Sequence, residues 1–128
     1  MQELKIAICG AGPAGLAAAI ALHRAGHDIH IFDQFEKPMP LGSGLILQPT
    51  GLAVLDWLGL GNRMRGLGAR IDRLFGKAAN RVVLDVQYAA LGDLRGLAVH
   101  RAGLFNMLYD CVVAQGQRIN TSHTINRL

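Results

Sequence analysis

Leu4-Lys5-Ile6-Ala7-Ile8-Cys9-Gly10-Ala11-Gly12-Pro13-Ala14-Gly15, continuing to His30-Ile31-Phe32-Asp33, is the stretch on which the reading of this chain turns. A short apolar run, Leu4 to Cys9, enters three closely spaced glycines. An alanine-rich segment, Pro13 to Ala25, follows, and after Gly26 a second apolar run closes on Asp33. The pattern predicts strand, tight turn, helix, turn and strand, with an acid at the end of the second strand.

Each residue type has a physical task in that arrangement. Gly10 lets the chain turn sharply out of the strand, and Gly12 leaves the backbone bare where a pyrophosphate would approach it. Gly15 lets the helix lie close to the sheet. Pro13 falls in the first helical turn, where its missing N–H costs nothing. The free N–H groups of that turn, Ala14 included, and the helix dipole favour a bound phosphate. Asp33 stands 18 residues after Gly15 and can accept hydrogen bonds from ribose hydroxyls. Glycines alone would be weak evidence. Strand, helix, second strand and acid in this order make a dinucleotide fingerprint.

Working outward, the 128 residues hold one domain with a real core, and a hydrophobic content of 51% fits a well-buried α/β chain. The formal charge of +4 does not indicate nucleic acid. Arg63, Arg65, Arg70 and Arg73 form only a loose cluster with no interleaved aromatic residues. Cys9 and Cys111 are not a Cys-x-x-Cys pair and read as small core thiols in a reducing cytoplasm. The five histidines lack metal-ligand spacing. Residues 6–22 are too short and too punctuated by Gly and Pro for a membrane span.

After Asp33, Gln34 to Gly44 reads as a loop. Leu45 to Leu47 is a strand stopped by Pro49. Thr50 then caps a helix with Leu52, Val54, Leu55 and Leu58 on its apolar side, ending at Gly59 and Gly61. Strands are predicted over Ile71 to Phe75 and Arg81 to Val86, the second half-buried, around a turn at Gly76 to Asn80. A strand at Leu97 to His100, a helix from Arg101 to Gln115 and a strand over Arg118 to Thr124 complete the series.

Three stretches together resemble the N-terminal part of class A FAD-dependent aromatic monooxygenases, the family of para-hydroxybenzoate and salicylate hydroxylases. They are Gly10 to Asp33; Gly42-Ser43-Gly44-Leu45-Ile46 through Pro49 to Leu60; and His100-Arg101-Ala102-Gly103-Leu104, similar to the family's Arg-x-x-Leu helix start. The resemblance implies a Rossmann-like FAD-binding βαβ core, with residues 66–100 as partial strands of an inserted β-rich substrate domain. It implies FAD at Gly10, Gly12, Pro13, Ala14 and Gly15, with Asp33 and Gln34 at the adenosine ribose. Gly44 would run near the flavin ring, and Arg101 would reach the FAD from its helix start. A cation there is unfavourable for the helix dipole, which favours a ligand role. Relatives often carry Arg where this chain has Gln34.

The resemblance further implies NAD(P)H as reductant, O2 as oxidant and a small aromatic substrate. No side chain reads as a catalytic acid, base or nucleophile. The family's later Asp-Gly and Gly-Asp motifs have no counterpart before Leu128, so the expectation is a truncated, inactive chain. In such a chain the Leu4 to Cys9 strand would form an exposed edge, and a homo-oligomer is expected through it. Two alternatives share the fingerprint: an FAD- or NAD-dependent oxidoreductase without oxygenase activity, and a non-catalytic nucleotide-binding module. The Gly42 to Leu60 stretch fits the first of these less well.

Overall fold

The computed structural model describes residues 2–40, 42–91 and 94–127. In chain order the elements are β1 (Lys5–Cys9), α1 (Pro13–Arg24), β2 (Asp28–Phe32), β3 (Gly44–Leu47), α2 (Pro49–Trp57) and α3 (Gly61–Arg65). Then come β4 (Gly68–Ile71), β5 (Arg73–Ala78), β6 (Arg81–Gln87), a 3-10 turn at Tyr88–Leu91, β7 (Gly96–His100), α4 (Arg101–Ala114) and β8 (Ile119–Asn120). The chain divides into two compact units, Met1–Gly42 with Arg101–Leu128, and Ser43–His100.

The first unit is a parallel sheet in the order β1-β2-β8, on which α1 packs beside α4. Ile6 pairs with Ile29 and Ile8 with Ile31, and Asn120 lies opposite Phe32. Leu16, Ala19 and Ile20 of α1, Ile31 of β2, and Met107, Leu108 and Val112 of α4 are buried. Each large side chain of this set contributes about 1.5–3 kcal/mol on leaving water. Gly10 has φ +106° and donates its N–H to the Phe32 carbonyl at 2.7 Å, so the turn out of β1 is tied at once to the end of β2. Helices α1, α2 and α4 close alike. At Gly26, Gly59 and Gly116 a left-handed residue and its successor donate to the last-turn carbonyls, as His23 and Leu22 show for α1.

In the second unit β7 lies between β3 and β4, antiparallel to both, with Leu97 and Val99 buried on one face. Leu52, Leu55, Leu58 and Met64 from α2, its C-cap and α3 are buried as well. Tyr88 is 2% exposed and donates its hydroxyl to Gln48 Oε1 at 2.6 Å. A Cβ on Gly96 would come within 2.9 Å of the Tyr88 ring, so that site needs glycine.

Several boundaries differ from the sequence expectation. Pro49 occupies the first helical turn of α2 after Gln48, and no side chain caps it, so Thr50 is inside the helix. Val54 is 50% exposed, and Gly61 begins α3 instead of ending α2. The run Ile71 to Phe75 breaks at Asp72, where β4 pairs with β7 while β5 pairs with β6. The Asp72 carboxylate takes bonds from Arg70 and Arg95 at that break. β5 continues to Ala78, leaving Ala79 (φ +50°) and Asn80 as the turn. β6 is less buried than expected: Val82, Val83 and Leu84 are all exposed, and only Val86, paired with Leu74, is partly buried. Only Ile119–Asn120 of the predicted last strand pairs. Cys9 is exposed rather than a core thiol, because it alternates onto the exposed face of β1 with Lys5 and Ala7, and Cys111 is only partly buried.

Candidate functional site

The end of β2 and the start of α1 are built to meet. Asp33, the one buried charged residue among those described, is 8% exposed. Its Oδ2 accepts the Ala11 N–H at 2.7 Å and its Oδ1 accepts the Phe35 N–H at 2.9 Å. Its backbone N–H donates to the Asn120 carbonyl, and its own carbonyl accepts from His123 N–H, both at 2.9 Å. One residue thus ties the glycine turn, the following loop and the β8 segment.

The first turn of α1 has Gly12 at its N-cap, Pro13 at its first position, no capping side chain and no acid. Its N–H groups therefore keep their donor capacity, and no side chain of that turn offsets the positive end of the helix dipole. A Cβ on Gly12 would meet no protein atom within 4 Å, so the bare backbone opens on free space. A Cβ on Gly15, by contrast, would collide with the Gly10 carbonyl oxygen and stand 3.3 Å from Ile8 Cγ2. Gly15 thus serves helix–strand approach, whereas Gly12 borders open space.

These groups line a cleft of about 160 Å3 together with Phe35, Pro38, Met39, Pro40, Arg101 and Phe105. Gly12, Pro13, Asp33 and Arg101, four of the residues singled out from sequence, share its wall. The Arg101 side chain lies against Gly42: a Cβ there would be 3.2 Å from Nε and 3.4 Å from Cζ. Gly42 itself has φ +97°. Gly10 and Gln34 line a neighbouring cleft of about 370 Å3 with Cys9, Phe32, Asp33, Phe35, His123, Thr124 and Ile125. Asp33 borders both clefts. Ala14 and Gly15 lie within α1 and line neither. Gly44 belongs to the second unit, where it opens β3 opposite His100.

Sequence reasoning missed Ala11, Phe35, Met39 and Phe105. Ala11 contributes through its backbone N–H and carries no side-chain signal beyond its place between two glycines. No cluster of His, Cys, Asp or Glu among the described residues suits a metal ion. No helix among them is long and apolar enough to cross a membrane.

An uncapped helix start, a buried acid and a cation share one cleft of an α/β unit, an arrangement with the chemistry to hold a dinucleotide. The chain belongs to the FAD-binding domain family, whose pattern it matches over residues 3–126. It is 33% identical over 124 residues to a Rhodococcus erythropolis protein named as a 2-heptyl-3-hydroxy-4(1H)-quinolone synthase, covering 94% of this chain and 32% of that protein. It is also 33% identical over 72 residues to 3-hydroxybenzoate 6-hydroxylase of Polaromonas naphthalenivorans (strain CJ2), covering 56% of this chain and 18% of that one. The solved tetrameric form of 2-methyl-3-hydroxypyridine-5-carboxylic acid oxygenase superposes with a TM-score of 0.80 at 24% identity, over 95% of this chain and 32% of that one. The fold is therefore that of an FAD-binding domain, shared with the corresponding third of that oxygenase. The chain spans about a third of the length of the relatives it matches along nearly its whole extent.

Proposed function

We propose that this chain is the FAD-binding portion of a flavoprotein monooxygenase that uses NAD(P)H and O2 to hydroxylate an aromatic small molecule. The observation that carries the reading is the convergence of the uncapped α1 turn, Asp33 and Arg101 on one cleft. The residues fit the group. The open space at Gly12 accepts a pyrophosphate, which the N–H groups from Ala14 onward and the α1 dipole hold. Asp33 has acceptor capacity left after its two backbone bonds, because an ionised carboxylate offers about four lone-pair sites. That capacity suits a ribose diol, with Gln34 alongside. Arg101 adds a positive charge from the start of α4, where the dipole would otherwise disfavour it. Gly10 and Gly15 shape the turn, and Gly44 is assigned to the flavin end.

Bound FAD would supply the redox chemistry, accepting a hydride from the nicotinamide and passing electrons to O2. The chain's own residues bind and orient it, and none is assigned as acid, base or nucleophile. Residues 66–100 are assigned to the substrate domain. The edge of β1, unpaired among the described residues, with Leu4 50% exposed, supports a homo-oligomer. The two free thiols agree with a cytoplasmic setting.

Calorimetric titration with FAD, ADP and FMN tests the cofactor reading. FAD and ADP are expected to bind and FMN to bind poorly, because the assigned contacts face the adenosine diphosphate half. Absence of ADP binding would overturn it. Light scattering tests the assembly, and a monomer of 13.7 kDa would rule out the edge contact.

A further inference from the structure

We propose that Asp33 is a positioning residue that sets the shape of the phosphate-binding turn before any ligand arrives, in addition to the ribose role that rests on the reading above. Both of its carboxylate oxygens are already engaged by backbone donors. Oδ2 holds the Ala11 N–H at 2.7 Å in a buried setting, and Oδ1 holds the Phe35 N–H at 2.9 Å. Ala11 is 1% exposed and belongs to neither β1 nor α1, so its N–H has no ladder or helix partner and the carboxylate is what satisfies it. A bond to an ionised acceptor is shorter and stronger than a neutral one, and leaving such a buried donor unmet is costly.

The geometry gives this bond leverage. Ala11 immediately precedes Gly12, the N-cap of α1, so anchoring its N–H fixes the direction in which the first helical turn presents its own donors. The Phe35 bond fixes the start of the loop that carries Pro38, Met39 and Pro40 along the other wall of the cleft. A single carboxylate thus sets both walls. A residue that served only the ribose would have no need to span them.

The test uses the whole chain with 15N labelling, and two phosphate probes, FAD and inorganic pyrophosphate, of which the second has no ribose. Asp33→Asn keeps the shape but turns one acceptor into a donor, which must then face an N–H. In the unliganded wild type the Ala11 amide is expected to be protected from hydrogen exchange and shifted downfield. In the variant the Ala11 or the Phe35 resonance is expected to lose its downfield shift. Affinity for pyrophosphate should fall on the order of tenfold alongside FAD. Unchanged pyrophosphate affinity with weakened FAD would overturn the proposal and leave Asp33 a ribose contact alone. An unprotected Ala11 amide in the wild type would overturn it without any variant. If the wild type bound neither probe, the cofactor reading would fail, while the amide measurements would still decide the positioning role.

Discussion

The carbonyl oxygen of Gly10 occupies the space in which a side chain on Gly15 would have to begin. The closeness of α1 to the end of β1 depends on that missing atom, and Gly12, three residues earlier, has no such constraint. The two glycines should therefore respond oppositely to substitution.

Gly15→Ala is expected to lower stability by about 1–3 kcal/mol, because backbone must shift to admit the methyl group. Gly12→Val is expected to unfold at nearly the wild-type denaturant concentration yet lose dinucleotide binding, since its side chain enters open space on the ligand side. Urea unfolding and equilibrium dialysis with FAD separate the two. Equal FAD affinity for Gly12→Val and wild type would disprove the access role.

Gly42→Ala probes the rest of Arg101. At φ +97° an alanine is strained by roughly 1–3 kcal/mol, and its Cβ would press on the guanidinium from 3.2 Å. Weaker FAD binding is expected. If the effect passes through Arg101, then Gly42→Ala combined with Arg101→Met should bind no more weakly than Arg101→Met alone. Full additivity in calorimetric titration would show that Gly42 acts by another route.

A pH dependence follows from the second unit. Arg65 bonds both oxygens of Asp56 at 2.6 and 2.7 Å, and this hydrogen bonding, with a smaller Coulombic contribution against slight desolvation, holds the Asp56 carboxyl below its ordinary range. A lowered folded pKa means the unfolded chain binds the proton more readily. The stabilisation is therefore complete above the ordinary carboxylate pKa and is lost as pH falls through the lowered value. Both side chains are more than two-fifths exposed, so Arg65→Met should cost no more than about 1 kcal/mol at neutral pH. Unfolding curves of variant and wild type should converge in strong acid, and a gap persisting there would exclude the ion pair as the cause.

Much of the nucleotide half was legible because its signals are local. Gly10, Gly12, Pro13, Gly15 and Asp33 each act within a turn or at an element's end, and each lies where the sequence pattern puts it. Arg101 was legible as a helix start. The cleft's other wall was not, since Phe35, Met39 and Phe105 reach it through tertiary folding, without periodic spacing. Ala11 was hidden for a different reason, as its contribution is a backbone N–H. The β5-β6 hairpin misled because alternation of Val82, Leu84 and Val86 ordinarily marks one buried face, and here Val82 and Leu84 are exposed while only Val86 is partly buried. Thr50 misled because Pro49 could start the helix one residue earlier.

Gly44 and His100, the first residue of β3 and the last of β7, lie opposite each other in one ladder. Within the nucleotide half, Gly42 and Arg101 stand side by side at the break where that half is interrupted. Residues 43–100 thus leave and return at matching points, and neither half needs the other's length to close its own pairing. Such a segment is expected to behave as a cassette. Lengthening, shortening or exchanging it, by recombination in nature or by splicing in the laboratory, would alter whatever selectivity it carries while the β1-β2-β8 register stays intact.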